Sequence, residues 1–300
     1  MRSLVIVSLL AGSAVAGNAP IIEGNAPIIQ GTADAGDPAV VQIYAYPANK
    51  STLYTCTGTV VSPTAIVTAG HCLDHDSTYV YGVYFEADAN AYNGQIAQIE
   101  AHLKAVSAVH IHPMYSTASP FPADIGVLVL AAPTTVTPLA FSRVEPDDTL
   151  VNAPVKIVGY GEVVSGTTKN ARFAATTIVA GIDAGSDTIL VGDSTHHTCV
   201  GDSGGPVLQN NVILGVDSYG AAGCTDPAHF RRTATYADFI DQYAGTSAGS
   251  GAGSGSAGSG SGSGDGGSTD GGGCSTTTTA HGLGAGFAVI AFAMLRRRRR

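Results

Sequence analysis

Basic residues are scarce in this chain: 14 Lys and Arg stand against 23 Asp and Glu among 300 residues. Arg2 and the five terminal arginines account for six of the 14, so residues 17–274 keep 8 basic groups and a net charge of about −15. Such an acidic surface repels phosphate backbones, which excludes a nucleic-acid partner and favours solubility outside the cell. Cysteine is also rare, five in all, and none stands directly after the apolar stretch at the N-terminus. A lipid-modified N-terminal anchor is therefore not indicated. His71 and His75 have an i, i+4 spacing, but no third ligand follows at a metal-site distance, so neither a metal nor a cofactor is expected. Tryptophan is absent.

What is present at the two ends is export chemistry. Residues 1–16, MRSLVIVSLLAGSAVA, hold one arginine, an apolar core and the small-residue site Ala14-Val15-Ala16, the pattern of a secretory signal peptide. A tandem duplication follows, Gly-Asn-Ala-Pro-Ile-Ile at 17–22 and again at 24–29. From 245 to 273 the chain is almost wholly Gly, Ser, Ala and Thr, a solvated tether spanning on the order of 30 Å root-mean-square. Beyond it come Cys274, a Ser-Thr spacer, an apolar segment over 282–295 and arginines 296–300. That apolar segment is shorter than the about 20 residues of an ordinary span. The arginines beside it would hold their end in the cytoplasm and leave the remainder outside.

Between the ends, short β-branched and aromatic runs alternate with Gly, Pro, Asn and Asp. The runs 40–44, 54–61, 79–85, 105–111, 125–130, 155–160, 173–179, 188–191 and 212–219 read as strands, which indicates an all-β barrel or sandwich. Tyr236, Phe239, Ile240 and Tyr243 fall on one helical face after a Thr235-x-x-Asp238 capping pattern, so a short helix is expected to end the domain.

One stretch carries chemistry. Residues 199–206 read Cys-Val-Gly-Asp-Ser-Gly-Gly-Pro. A serine hydroxyl becomes a nucleophile when a base takes its proton and donors receive the oxyanion formed on attack. Gly201 allows its own N–H and that of Ser203 to point at one spot, and Gly204 and Gly205 leave room for substrate. Upstream lie Thr68-Ala69-Gly70-His71-Cys72 and an acid, Asp124, opening the apolar run Ile125-Gly126-Val127-Leu128. The order His, Asp, Ser differs from that of subtilisins and α/β-hydrolases.

These three motifs resemble those of the chymotrypsin-like (trypsin-fold) serine proteases, over roughly residues 28–243. The resemblance implies two antiparallel six-stranded β-barrels with a short C-terminal helix, crossing over at 137–154. It implies His71 as general base, Asp124 as its orienting partner, Ser203 as nucleophile, and the Gly201 and Ser203 amides as oxyanion hole. It also implies the disulfides Cys56–Cys72 and Cys199–Cys224, although four cysteines by count alone allow three pairings. Processing before Ile28, in Ile28-Ile29-Gln30-Gly31, would free an amino group to pair with Asp202, the earlier copy Ile21-Ile22 being a decoy or a second processing site. The pocket position six residues before the serine is His197, where trypsin-type enzymes carry Asp, with Thr198 and Asp217 beside it. Ser218, Tyr219 and Gly220 look like the strand that pairs with substrate, Tyr219 replacing the usual tryptophan. His110 and His112 are structural in this family, and His196 reads as solvated. The Cys274, apolar helix and arginine arrangement resembles the C-terminal sorting signals of myxobacteria (MYXO-CTERM type).

The expected organisation is a signal peptide at 1–16, a propeptide at 17–27, a protease domain at 28–244, a linker at 245–273 and a sorting or membrane-anchor segment at 274–300. The expected protein is a monomeric zymogen, exported to the cell surface or outer membrane of a Gram-negative bacterium or released from it. Its partners would be protein or peptide substrates and a sorting protease. A silent binding module on the same scaffold and a serine esterase are the alternatives.

Overall fold

The computed structural model describes residues 28–92, 96–164, 167–168, 170–221 and 223–245. The expected signal peptide, propeptide, linker and sorting segment with Cys274 lie outside these residues, apart from Gly245.

Six strands form a first closed barrel: β1 (Val40–Pro47), β2 (Tyr54–Val60), β3 (Ala65–Thr68), β4 (Tyr79–Tyr84), β5 (Lys104–Ile111) and β6 (Gly126–Leu130). Six more form a second: β7 (Pro154–Gly159), β8 (Phe173–Asp183), β9 (Thr188–Val191), β10 (Pro206–Gln209), β11 (Val212–Tyr219) and β12 (Ala228–Arg232). Pairing of β8 with β7 closes this second ring. The expected pair of antiparallel six-stranded barrels is thus observed. β3, β10 and β12 are additions to the strands read from the sequence. All ladder pairs of both barrels are antiparallel, and closure leaves no open edge in either ring.

Each barrel is filled from within by apolar, mostly β-branched residues of its strands. Val41, Ile43, Val60, Ile66, Val83 and Leu128 pack the first. Ile157, Val179, Ile189, Val191, Val207 and Phe230 pack the second, together with Ile28 from the N-terminal segment. A third cluster includes Val67, Ile125, Val158, Tyr160, Val216, Phe239 and Ile240, residues drawn from both barrels and the terminal helix Ala237–Ala244. His110 stacks on Tyr243 at 3.8 Å, and the His112 ring meets Tyr236 and Phe239 edge-on.

The helix start differs from expectation. Its cap residue is Tyr236 and no side chain caps it; the Thr235 hydroxyl donates instead to Glu145 Oε1 at 2.8 Å. Thr235 lies one residue before the cap position, so its hydroxyl is not used by the helix's free N–H groups. The crossover also has local structure: Ala140–Phe141 pairs parallel with β11, and Asp147 caps the turn Asp148–Leu150 by accepting from the Thr149 N–H.

β12 is polar in sequence, Ala-His-Phe-Arg-Arg, yet buried along most of its length. Arg231 makes this possible, because its guanidinium donates to the carbonyls of Ser186, Pro120 and Phe121. Phe230, fully buried beside it, fills the second barrel. Phe230→Ala should therefore cost roughly 3–5 kcal/mol, read as a lower urea midpoint with an unchanged slope.

Candidate active site

The site begins with a register. Thr68 at the end of β3 pairs with Gly126 at the start of β6, so the chain leaving β3 runs beside the chain entering β6. The first of these carries His71, on the turn Gly70–Cys72, and the second carries Asp124. A side chain at position 70 would press on Asp124 Oδ1, Ile111 and the Ile125 nitrogen at 3.2 Å each, which is why glycine precedes the histidine.

Asp124 is buried and its two oxygens meet three donors. Oδ1 accepts the His71 backbone N–H at 2.7 Å. Oδ2 lies 2.8 Å from His71 Nδ1 and accepts the Ser218 hydroxyl at 2.6 Å. Ser218 arrives from the second barrel, where the ladder between β11 and β12 slips between Asp217 and Tyr219. Such a slip re-aims a side chain, and here it turns a hydroxyl toward the other barrel.

Electrostatics follow from these contacts. Burial works against the Asp124 carboxylate, but the hydrogen bond and charge of His71, with the Ser218 hydroxyl, outweigh it and hold the pKa below the usual range. Burial likewise works against the His71 imidazolium; the Asp124 bond and the charges of Asp124 and Asp217 outweigh it and raise the pKa. Asp217 is dominated by burial, reinforced by the charge of Asp202, and is pushed up to about 7 despite a Thr198 hydrogen bond.

Ser203 sits on the loop between β9 and β10. Asp202 folds this loop: it is buried, accepts the Gly161 N–H on Oδ1 and the Cys199 N–H on Oδ2, both at 2.9 Å. Glycines at 159 and 161 make room, since a Cβ at 159 would stand 2.1 Å from Asp202 Oδ1 and one at 161 would stand 2.5 Å from its Cγ. Gly204 adopts φ of +82°, and a Cβ there would stand 2.0 Å from Thr68 Oγ1. Thr57 of β2 ties the loop to the first barrel. Its N–H donates to the Ser203 carbonyl at 2.8 Å and its hydroxyl to the Gly201 carbonyl at 2.9 Å. The Gly201 and Ser203 amides find no acceptor among the described residues. The disulfides Cys56–Cys72 and Cys199–Cys224 are both formed, one bracing each side.

Ser203 and His71 line a common cleft of about 180 Å³, with Ile43, Tyr54 and His75 on its far wall. No hydrogen bond joins Ser203 Oγ to His71 Nε2 among the described contacts; the ring's Nε2 edge lies 3.7 Å from Cys72 Sγ. A second cleft, about 140 Å³, opens beside Ser203 and is lined by Thr198, Val200, Asp217, Ser218, Tyr219 and Gly220. His197 lies outside this lining. It is buried, with Nδ1 3.3 Å from the Asp193 carbonyl, and its own carbonyl accepts the Ile29 N–H at 2.9 Å. Ile28 places its side chain in the second-barrel core. A third cleft of about 380 Å³ brings Asp74, Tyr115 and Phe121 beside His71 and Tyr219. Asp74 follows His71 by three residues, whereas Thr57, Tyr115 and Phe121 are brought to the site by barrel closure, and none of the four carried a sequence signal.

Cys56, His71 and Cys72 present donor atoms close together, but both sulfurs are consumed in one disulfide. A disulfide sulfur is no thiolate, so this group fits no metal.

Comparisons with known proteins agree on one family. The trypsin family model matches residues 30–240. A trypsin of Saccharopolyspora erythraea is 27% identical over 213 residues, 64% of this chain and 88% of that protein. Brachyurin of Leptuca pugilator is 29% identical over 64% of this chain and 89% of its own length. Glucanase inhibitor protein 3 of Phytophthora sojae is 25% identical over 62% of this chain and 77% of that protein. Among solved structures, mouse neuropsin, described as a serine protease, superposes with a TM-score of 0.58 at 21% identity, covering 72% of this chain and 99% of neuropsin. By the family match over most of its length, with the two barrels and the site between them, this chain belongs to the trypsin family.

Proposed function

We propose that the protein is an exported serine endopeptidase, tethered at the cell surface, that cleaves peptide bonds through an acyl-enzyme on Ser203. The observation carrying this reading is the Asp124 bridge, which holds His71 by Nδ1 at 2.8 Å while its ring lines one cleft with Ser203. Substrate entering the cleft draws the Ser203 hydroxyl and His71 Nε2 into hydrogen-bond contact, a bond commonly long in free enzymes. Ser203 Oγ then attacks the carbonyl carbon and its proton passes to Nε2. The Gly201 and Ser203 amides receive the oxyanion, and imidazolium returns the proton to the leaving amine. Water, deprotonated by the same imidazole, releases the acid and restores Ser203. No cofactor enters these steps.

Activation fits the position of Ile28 in the second-barrel core. A cut before Ile28 frees an ammonium close to the loop that Asp202 organises, and a buried ammonium and carboxylate must pair to offset their desolvation. The tether and anchoring rest on the Gly/Ser tract, Cys274 and the arginine-ended apolar segment.

The kinship with a glucanase inhibitor supports a second reading, a binding module without turnover. Labelling with a fluorophosphonate separates the two. The secreted protein should label and its N-terminus should read Ile28, while Ser203→Ala should not label and should lose roughly 10⁶-fold in kcat. A chain starting at Ile28 that neither labels nor cleaves peptide would establish the binding module. Hydrolysis of activated esters with no peptide cleavage would establish the esterase.

A pH profile tests the role of Asp124. The base must be neutral to accept the serine proton, so kcat/KM should rise with pH through a His71 pKa above the ordinary histidine value. Asp124→Asn removes the main groups that raise this pKa and leaves the burial that lowers it. Its inflection should therefore move to lower pH, with a loss of roughly 10⁴-fold in kcat.

A further inference from the structure

We infer that Arg231 is a positioning residue for substrate binding: its guanidinium fixes how Phe121 of the first barrel meets Tyr219 of the second, and so sets an aromatic corner of the 380 Å³ cleft beside His71. This rests on the peptidase reading above and deepens it with a residue that lies outside the lining of the cleft.

Arg231 is an uncommon occupant of a core. It is 1% exposed, yet no acid pairs with it among the described residues; Glu145 and Asp187 are taken by Arg232. A buried cation without a counter-charge is costly unless its N–H groups meet dipoles. Nη1 donates to the Ser186 carbonyl, on the turn joining β8 to β9 of its own barrel. Nη2 donates to the carbonyls of Pro120 and Phe121, on the first-barrel loop that leads to Asp124. Those two carbonyls accept from no backbone N–H among the described residues. Nε finds no partner there either. An apolar side chain would fill this space without that cost, so what the position uses is the planar fork, which holds two segments of chain at once.

The loop it holds needs holding. Phe121 and Ala123 have φ of +56° and +49°, the left-handed region that residues with a Cβ occupy only when their surroundings impose it. With its carbonyl bound by Arg231, Phe121 brings its ring to 5.7 Å from that of Tyr219. Tyr219 is held from β12, the strand that carries Arg231. It stacks at 4.3 Å on His229, its ladder partner, and the Arg231 guanidinium carbon stands 5.7 Å from its ring. Both rings line the cleft with Tyr115, and Arg231 does not, so its effect on a ligand must pass through them. Asp124 has three donors of its own, so its bond to His71 does not depend on this guanidinium.

Lysine keeps the charge but offers a point where the guanidinium offers a fork, and methionine keeps neither. Arg231→Lys and Arg231→Met would be compared with the wild type on peptide amides in which one phenylalanine replaces glycine, in turn, at each position before the residue at the scissile bond. The wild type should prefer phenylalanine at one of these positions by about tenfold in kcat/KM, the scale of an aromatic contact. Both variants should bring that ratio toward unity, mainly by raising KM for the phenylalanine peptide, and the pH inflection set by His71 should stay in place. In parallel, N-acetylphenylalaninamide and N-acetylglycinamide would be titrated into the full-length wild type and followed by NMR, which needs neither turnover nor a variant. The aromatic amide alone should shift the Phe121 and Tyr219 ring signals and the Arg231 Nη–H signals together. Such shifts without cleavage of any peptide would remove the peptidase reading and keep the role of Arg231. Nη–H signals unmoved by the aromatic amide would overturn that role. So would the absence of an aromatic preference at every position, a ratio kept by either folded variant, or an equal loss on both peptides through kcat. The titration decides the matter if neither variant folds.

Discussion

A carboxylate withdrawn from water must be met by hydrogen-bond donors, and the architecture of this molecule turns on how that demand is met at Asp124. Two of its donors come from His71, one by backbone and one by ring; the third is the hydroxyl of Ser218 on the other barrel. The bond set therefore fixes an imidazole and joins two separately packed cores. Neither barrel alone could satisfy the acid. Thr57 returns the link in the opposite direction, reaching from the first barrel to the carbonyls of Gly201 and Ser203 in the second. Loss of the barrel junction would leave a buried charge short of donors, which is why the cleft and the fold stand together.

Three acids around this cleft, Asp124, Asp202 and Asp217, are all deeply buried, yet they have different surroundings. Asp124 has three strong donors and remains an anion. Asp202 bonds two backbone N–H groups and organises the serine loop around glycines that leave it space. Asp217 has burial and the charges of the other two acids against it, with the Thr198 hydroxyl and His71 in its favour, and its pKa is pushed up to about 7. With burial common to all three, the donors and charges that each meets distinguish three chemically identical side chains.

The sequence made the barrels legible because their strands alternate β-branched residues with turn-forming ones, and nine of the runs correspond to strands of the structure. The strands it hid have physical reasons. β3 is only four residues long and runs straight into the histidine motif. β10 opens with Pro206, which reads as a loop exit. β12 contains two arginines that only the carbonyls of distant loops and the acids Asp187 and Glu145 make compatible with burial. At the site, His71, Asp124 and Ser203 were visible through their motifs, whereas Thr57, Tyr115 and Phe121 meet His71 and Ser203 by closure across long sequence separations. Composition and periodicity carry no information about such contacts. The orientation of His197 is similar: its place in the chain suggested the cleft, but the Asp193 carbonyl gave its ring a partner elsewhere.

Proton linkage sets the cleft's needs against those of the fold. Asp124 has a depressed pKa, so its contribution to stability is present above the unfolded value and is lost as pH falls through the folded one. His71 has a raised pKa, so its contribution is complete below the unfolded value and is lost as pH rises through the folded one. Asp217 also has a raised pKa, and being an acid it destabilises the fold once ionised. Between about 4, its unfolded value, and about 7, its folded one, the folded chain holds a proton that the unfolded chain has released, so stability falls as pH rises. Two of the three groups therefore favour mildly acidic conditions. The proposed chemistry requires the reverse, a neutral His71, which forms as pH rises through its raised pKa.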